Sequence, residues 1–360
     1  MMADILFHSC SGSCSEDCRE TIQSAINQRD KECRVIDFHC HIFVPAVEKL
    51  VEGRAEKIAE VQALADSMGP ESNEHNATVM LPFAGPRLVN LQQRFSDMEA
   101  MGVDMQVISP SPTQYYYWAD ETLAREIVNL QNQSIAEICS QNATRLMGLG
   151  NVSLQHPELA VEQLKSCMNL GLKGVEISTF INGVDLSSER FEDFWKTAEA
   201  LGSVIFIHPF GASLGQRLEP FYLSNLIGQP LETTIALSHL IFSGVLDRYP
   251  NLKLLAAHGG GYLPTYIQRS DHGYRVRPEC QRISKKPSEY LSQIWFDSLV
   301  YDKAALSRLI NQVGISQVVV GSDYPFDMGS YDIHALLASL DLTKDEYEKL
   351  LSGNALKLLS

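Results

Sequence analysis

Two histidines two residues apart, His39 and His41, end the run Val35-Ile36-Asp37-Phe38-His39-Cys40-His41. The β-branched and aromatic residues of this run favour a strand. In a strand, residues i and i+2 point to one side. The two imidazoles then lie together, with Asp37 on their side and Phe38 and Cys40 on the other. Such a pair can chelate one metal ion, and zinc is the default for a histidine-rich site. Histidine pairs also arise by chance on surfaces, so the assignment depends on what else reaches the same place.

Three further residues close apolar runs. His208 follows Ser203–Ile207, His258 follows Leu252–Ala257, and Asp323 follows Val318–Ser322. Three imidazoles and one carboxylate (His39, His41, His208, Asp323) can hold a divalent ion and leave room for water. A metal held this way lowers the pKa of that water and polarises a substrate oxygen. Each residue also has a plainer reading. His208 can merely open a loop before Pro209, and Asp323 can cap the turn before Pro325 or act as a base beside the metal. His258 can serve as general acid/base, the usual use of an imidazole that does not ligate a nearby metal, or it can support the site without touching substrate. The glycines that follow it, Gly259-Gly260-Gly261, allow close backbone approach or simply a turn. Glu176 lies inside a strand and is left out of the candidate set. Tyr115-Tyr116-Tyr117-Trp118 can wall a pocket or pack against neighbouring chain.

The elements that position these residues alternate along the chain. Strands are expected at 35–41, 103–109, 145–152, 174–178, 203–208, 252–258, 294–298 and 318–323. Helices are expected at 88–101, 121–141, 158–170, 188–201, 218–242 (with a break at 228–230) and 303–311, with two more, at 333–340 and 344–351, closing the chain. Gly102 stops the first of these helices. A further helix over 46–68 and a loop over 69–76 make residues 42–86 an insertion after the first strand. Eight apolar strands, nearly all followed by helix, indicate a parallel sheet closed into a (β/α)8 TIM barrel. No GxGxxG or P-loop is present, which argues against a nucleotide cofactor. Four of the ten histidines fall at strand ends. In such a barrel the C-terminal strand ends converge on one pocket.

Composition narrows the partners. The 360 residues carry a formal net charge of -15, which disfavours nucleic acid and acidic membranes. An anionic small molecule stays admissible, because a metal or a few arginines can reverse the field locally. No apolar run of spanning length and no convincing signal peptide are found, so a cytoplasmic protein is expected. The eight cysteines are too sparse for a disulfide scaffold. Cys10, Cys14 and Cys18 recur every four residues and can bind a structural metal, but free thiols suit them better. Residues 1–34 read as an N-terminal extension to a barrel of residues 35–360, with a short helix near Glu20–Gln28.

Several segments carry a family resemblance. Asp37-Phe38-His39-Cys40-His41, Tyr117-Trp118-Ala119, His208-Pro209-Phe210, Glu232-Thr233-Thr234, His258-Gly259-Gly260-Gly261, Asp271-His272-Gly273 and Gly321-Ser322-Asp323-Tyr324-Pro325-Phe326 occur in family order. The chain resembles the amidohydrolase superfamily, and within it the branch of 2-amino-3-carboxymuconate-6-semialdehyde decarboxylase and related metal-dependent decarboxylases. The resemblance implies a barrel with one zinc, or manganese in some relatives, and no organic cofactor. It implies His39, His41, His208 and Asp323 as ligands and His258 as the acid/base, with Asp323 also catalytic. It implies substrate contacts from Phe210, Phe326 and Trp118. Arg269, an ordinary surface residue by its own context, would reach the neighbouring subunit's pocket in a homodimer. The implied reaction is non-oxidative decarboxylation of an unsaturated or aromatic carboxylic acid. A hydrolase or hydratase acting on a lactone, amide or enol acid would use the same residues. Two departures stand out: Phe210 replaces the family's Trp, and no arginine occurs between Ala55 and Pro86, which leaves Arg87 as the nearest substitute.

Overall fold

The computed structural model describes residues 34–360 together with Ile5. The cysteine cluster and the helix expected near Glu20–Gln28 lie outside the described residues.

Eight parallel strands form the frame: β1 (Ile36–Ile42), β2 (Met105–Pro110), β3 (Leu146–Gly148), β4 (Gly174–Ile177), β5 (Val204–Ile207), β6 (Lys253–Ala256), β7 (Ile294–Asp297) and β8 (Val318–Val319). Ladders join β1-β2-β3 in one arc and β4-β5-β6-β7-β8 in the other. The arcs meet twice. Gly150 bridges to Val175 on one side. On the other, Phe38 N donates to Val320 O (2.8 Å), Asp323 N to His39 O (2.8 Å) and His41 N to Tyr324 O (2.8 Å). The sheet is therefore a closed barrel with no free edge. A short hairpin, Phe180–Ile181 with Val184–Asp185, follows β4.

Side chains sort by alternation. Phe38, Val107, Leu149, Phe206, Leu255, Trp295 and Val319 share an inner core, capped by Leu358 and Leu359 of the last helix. Ile177, Ile207, Ala256 and Phe296 pack outward against the helices. Residues two beyond an inner core position and at a strand end, such as His208 and Asp297, thus face the pocket.

β1 departs from simple alternation. Its register against β2 shifts between Asp37 and Cys40, as a bulge does. Phe38 is in the inner core, and His39 also faces inward, its ring lying 5.0 Å from Phe206. Asp37 does not share the side of His39 and His41. It accepts from Gln106 Nε2 (3.1 Å), Ser322 N (3.0 Å) and Ser322 Oγ (2.6 Å) and so ties β1 to both neighbours.

Helix ends follow local chemistry. Asp120 caps Glu121–Gln141 by accepting from Leu123 N (3.0 Å), and Asp302 caps Lys303–Val313 through Ala304 N (2.7 Å). Gly102 ends Leu91–Met101 in the left-handed conformation (φ 67°). The expected loop at 69–76 is helical instead. Ala55–His75 runs through it with one kink at Gly69 (φ 75°, ψ 168°), and helical turns continue to Val89. Pro70 disfavours helical geometry at its predecessor, which places the kink. A Cβ at Gly69 would lie 2.9 Å from Glu219 Cγ, so the kink docks the insertion on the loop after β5. The break expected at 228–230 is also displaced. Gly228 keeps helical angles, while Phe221 (φ 61°) and Tyr222 (φ 60°) interrupt the chain earlier. Proline at the second position of Gln229–Phe242 suits a helix start, where no amide bond is lost.

Candidate metal centre

At the C-terminal rim of the barrel, His39, His41, His208 and Asp323 each offer one ligand atom, and these atoms all lie within 4.8 Å of one another. All four residues are buried. Asp323 Oδ1 lies 3.4 Å from His39 Nε2 and 3.3 Å from His41 Nε2. The Nε2 atoms of His39 and His41, both nitrogens of His208, and Asp323 Oδ1 are buried without a hydrogen-bond partner. Buried polar atoms are normally satisfied, and a converging unsatisfied set is what an ion site requires. The donor set fits a divalent metal.

The other ring nitrogens fix which atom faces the ion. His39 Nδ1 meets Asp297 Oδ2 at 2.6 Å, and His41 Nδ1 meets Pro110 O at 3.3 Å. Proton donation from Nδ1 leaves the Nε2 lone pair free, as ligation needs. Glu176 Oε2 lies 3.6 Å from His41 Nδ1, and its Oε1 accepts from Tyr115 OH (2.5 Å).

Burial and charge compete at each group. Burial opposes charge on His39, but the neighbouring Asp323 and Asp297 outweigh it and lift its pKa to about 10. Those carboxylates would favour any cation placed there. Burial, reinforced by His41, His39 and His258, pushes His208 well below the ordinary range, so it stays a neutral imidazole. Burial raises Asp323, but His39 and the hydrogen bonds of its histidine neighbours hold it well below the usual carboxylate value. Burial raises Glu176, with His41 only partly offsetting it.

His258 stands at the rim in a left-handed conformation (φ 55°), and Asp323 shares that feature (φ 58°). Non-glycine residues are uncommon there, and such strain gathers at functional sites. Asp297 holds the turn by accepting from His258 N (2.8 Å) and Gly259 N (2.7 Å). His258 Nε2 lies 3.6 Å from Asp323 Oδ2, and both residues line one cavity of about 250 Å³. The adjoining glycines serve packing against protein. A Cβ at Gly259 would meet Val300 Cγ1 at 2.4 Å, and one at Gly261 would meet Pro230 O at 2.1 Å.

The remaining candidates divide. The Phe326 ring lies 5.6 Å from His41, and Phe210 lies edge-on to Tyr115 at 6.0 Å. Trp118 packs on Tyr116 (5.5 Å), beside the insertion. Arg269 is exposed on the helix Leu263–Val276 and is not brought to this cluster. Arg87 is no free cation for a substrate: it is buried, paired with Asp97 (2.9 Å) and stacked on Phe83. Sequence reading passed over Asp297, although it ends its strand as Asp323 does and stands two residues after the inward Trp295.

The Amidohydrolase family profile matches residues 36–360. The chain is 37% identical to 2-amino-3-carboxymuconate-6-semialdehyde decarboxylase of Dictyostelium discoideum, over 74% of this chain and 75% of that one. It is 25% identical to gamma-resorcylate decarboxylase of Polaromonas sp., covering 76% of this chain and 87% of that one. Among solved structures, 5-carboxyvanillate decarboxylase of Novosphingobium aromaticivorans, complexed with manganese and 4-hydroxy-3-methoxy-5-nitrobenzoic acid, superposes with a TM-score of 0.80. That match has 22% identity and covers 91% of this chain and 96% of that one. No described helix is long and apolar enough to cross a membrane.

Proposed function

The chain belongs to the amidohydrolase family, and on that premise we propose that it is a metal-dependent, non-oxidative decarboxylase of an aromatic or unsaturated carboxylic acid. The observation that carries this reading is the converging set of unpartnered ligand atoms, opened to a cavity on the side of His258 and Asp323. The decarboxylases it resembles supply the reaction class.

His39, His41, His208 and Asp323 would hold the ion, with zinc first and manganese second. When bound, the metal supplies a Lewis acid beside the substrate's oxygens. The chain's own residues do the rest. The carbon–carbon bond to the carboxylate breaks, and its electron pair remains on the substrate carbon as carbon dioxide leaves. A proton must then reach that carbon. His258 and Asp323 line the cavity together with the phenols Tyr262 and Tyr301, and His258 Nε2, 3.6 Å from Asp323 Oδ2, is placed to hold and deliver the proton. Phe326 and Phe210 would flank the substrate ring, and Trp118, packed on Tyr116, would add to the aromatic wall.

In this reading residues 35–360 are the catalytic unit and 1–34 an extension. The enzyme works as a homodimer, in which Arg269 would serve the neighbouring pocket. Exposed Tyr266 on the same helix and Tyr262 just before it supply apolar area for such a contact. The described cysteines are free thiols, which suits the reducing cytoplasm.

The test is carbon dioxide release by zinc- or manganese-loaded protein from ortho-hydroxy, ortho-amino and muconate-type acids. Release that stops with a chelator and returns with metal is expected. Substrate consumed with all its carbon retained and solvent oxygen incorporated would overturn the reading in favour of hydrolysis or hydration.

A further inference from the structure

Two cavities adjoin at the rim, and Met328 lines both. The inner one, about 250 Å³, holds His258 and Asp323. The outer one, about 560 Å³, lies between the insertion and the loop after β5, among Met68, Pro70, Phe221 and Tyr222. A residue that borders both marks the boundary between them. A side chain from a different loop holds Met328 there: Tyr301 OH donates to Met328 O at 3.1 Å. Tyr301 itself lines the inner cavity. Tyr301 is exposed and Met328 half-buried, so both are within reach of a ligand.

Both ends of this strut are fixed. On the β7 side, Leu299 N donates to Asp297 Oδ1 (3.2 Å), and Asp302 caps the next helix through Ala304 N and Ala305 N. Between these anchors Val300 N donates to Ser298 O (2.9 Å) and Asp302 N to Val300 O (3.0 Å). The tight turn leaves Tyr301 in the left-handed region (φ 69°), which a tyrosine seldom adopts. Such a conformation persists only where its surroundings over-determine it. On the β8 side, Phe326 N donates to Asp323 O (3.1 Å), Gly329 N to Phe326 O (3.0 Å) and Ser330 N to Ser322 O (2.9 Å). Met328 therefore rides on a loop tied back to Ser322 and Asp323. Neither bank has to be ordered when a ligand arrives, so the strut acts as a wall.

The two spaces differ in size and in charge. The inner cavity lies below the range of about 300–1,000 Å³ that takes drug-sized ligands, so it suits one ring. A second ring would need the larger outer space, and Met328 stands at that boundary. The charged lining of the outer space is Glu71, Glu219 and Asp327, with His75 paired to Asp327 at 3.3 Å. An anionic arm would be repelled there.

We propose that Tyr301 and Met328 form a partition that sets the length of acid the site accepts. The Tyr301 hydroxyl pins Met328 between the two cavities, so single-ring acids are admitted and two-ring acids are excluded. The inference rests on the decarboxylase reading for an acid whose carboxylate faces the metal ligands.

The experiment is calorimetric titration of the full-length, zinc-loaded protein with salicylate and with its 3-, 4- and 5-phenyl derivatives. Wild type should bind salicylate at least about tenfold more tightly than the best phenyl derivative, the scale on which a pocket discriminates added bulk. Met328→Ala should shrink that ratio about tenfold or more by joining the cavities. Tyr301→Phe keeps the ring and removes only the hydrogen bond; it should move the ratio the same way, by less. A carboxylate added to the phenyl arm should cancel the gain in Met328→Ala. A merely structural role for the pair would lower the melting temperature and leave the ratio alone. A ratio unchanged in Met328→Ala, or a wild type that does not prefer salicylate to its phenyl derivatives, would overturn the proposal. A ratio that moves in Met328→Ala and not in Tyr301→Phe would overturn the part given to Tyr301. The predicted binding pattern without carbon dioxide release would count against the decarboxylase reading alone. Carbon dioxide release with one ratio in wild type and both variants would count against the partition alone.

Discussion

Replacing Asp297 by asparagine keeps the shape of the site and removes one charge, so it isolates what that carboxylate does. Its Oδ2 takes His39 Nδ1 at 2.6 Å and His258 N at 2.8 Å, and its Oδ1 takes Gly259 N at 2.7 Å and Leu299 N at 3.2 Å. All four partners are donors to an ionised carboxylate. Burial works to raise Asp297, but the hydrogen bond and charge of His39 outweigh it and keep its pKa below the ordinary range. An asparagine must put its NH2 at one of the two oxygen positions. At the first it faces His39 and the amide of His258. The favoured His39 tautomer then reverses, and its Nε2 lone pair is lost to the ion. At the second it faces two backbone amides of the rim. Either way two donors lose their acceptor, at about 1–3 kcal/mol each. Loss of a carboxylate behind a metal-bound histidine typically weakens the metal 10–100-fold, or about 1.4–2.7 kcal/mol. The assay is ion affinity by competition with a chromophoric chelator, with circular dichroism to confirm folding. Asp297→Asn should bind zinc and manganese 10–100-fold more weakly. An affinity within about twofold of wild type, under 0.5 kcal/mol, would refute the argument.

Three further outcomes are expected. His258→Ala should retain the metal and lose about 10²–10⁴-fold in turnover, whereas His208→Ala should lose the metal itself; elemental analysis and kinetics on both variants separate the roles. Gly321→Ala would put a Cβ 2.8 Å from the Cβ atoms of both His39 and Asp297, so denaturant melts should show a loss of about 1–3 kcal/mol. Asp247 lies outside the site and accepts from Ser284 N (3.0 Å) and Tyr290 OH (2.6 Å); burial raises its pKa, but these bonds and Lys285 outweigh it and leave it lowered. Its contribution is therefore present above the unfolded value, about 3.9. It is lost as pH falls through the depressed folded value, because the unfolded chain there binds more protons. Asp247→Asn should destabilise the protein at neutral pH, and its melting curve should converge on wild type in acid; a difference that is constant with pH would contradict this.

Much of the site could be read before folding because strand chemistry is local. A β-branched run sets a period of two, and the polar residue that ends it is delivered to the barrel rim. That logic located His39, His41, His208, His258 and Asp323, and the structure brings these five residues together. Applied evenly, it would also have found Asp297. It failed where the period itself was altered. The shift in β1 turns Asp37 out of the histidines' face, and only pairing with β2 and β8 reveals it.

The insertion shows the same limit from another side. Pro70 signals an interruption, but whether a proline there opens a loop or kinks a helix depends on what the kink packs against, here Glu219. Arg87 looked like a spare cation until its burial against Asp97 was visible. The sequence by itself determined the strand–helix alternation and the residue types waiting at strand ends, because backbone geometry and side-chain period act over a few residues. Only the tertiary structure decided which of those residues converge, which nitrogen of His39 and of His41 is free, and which polar atoms are left for a ligand. Those are properties of contacts between strands as far apart as residues 39 and 323.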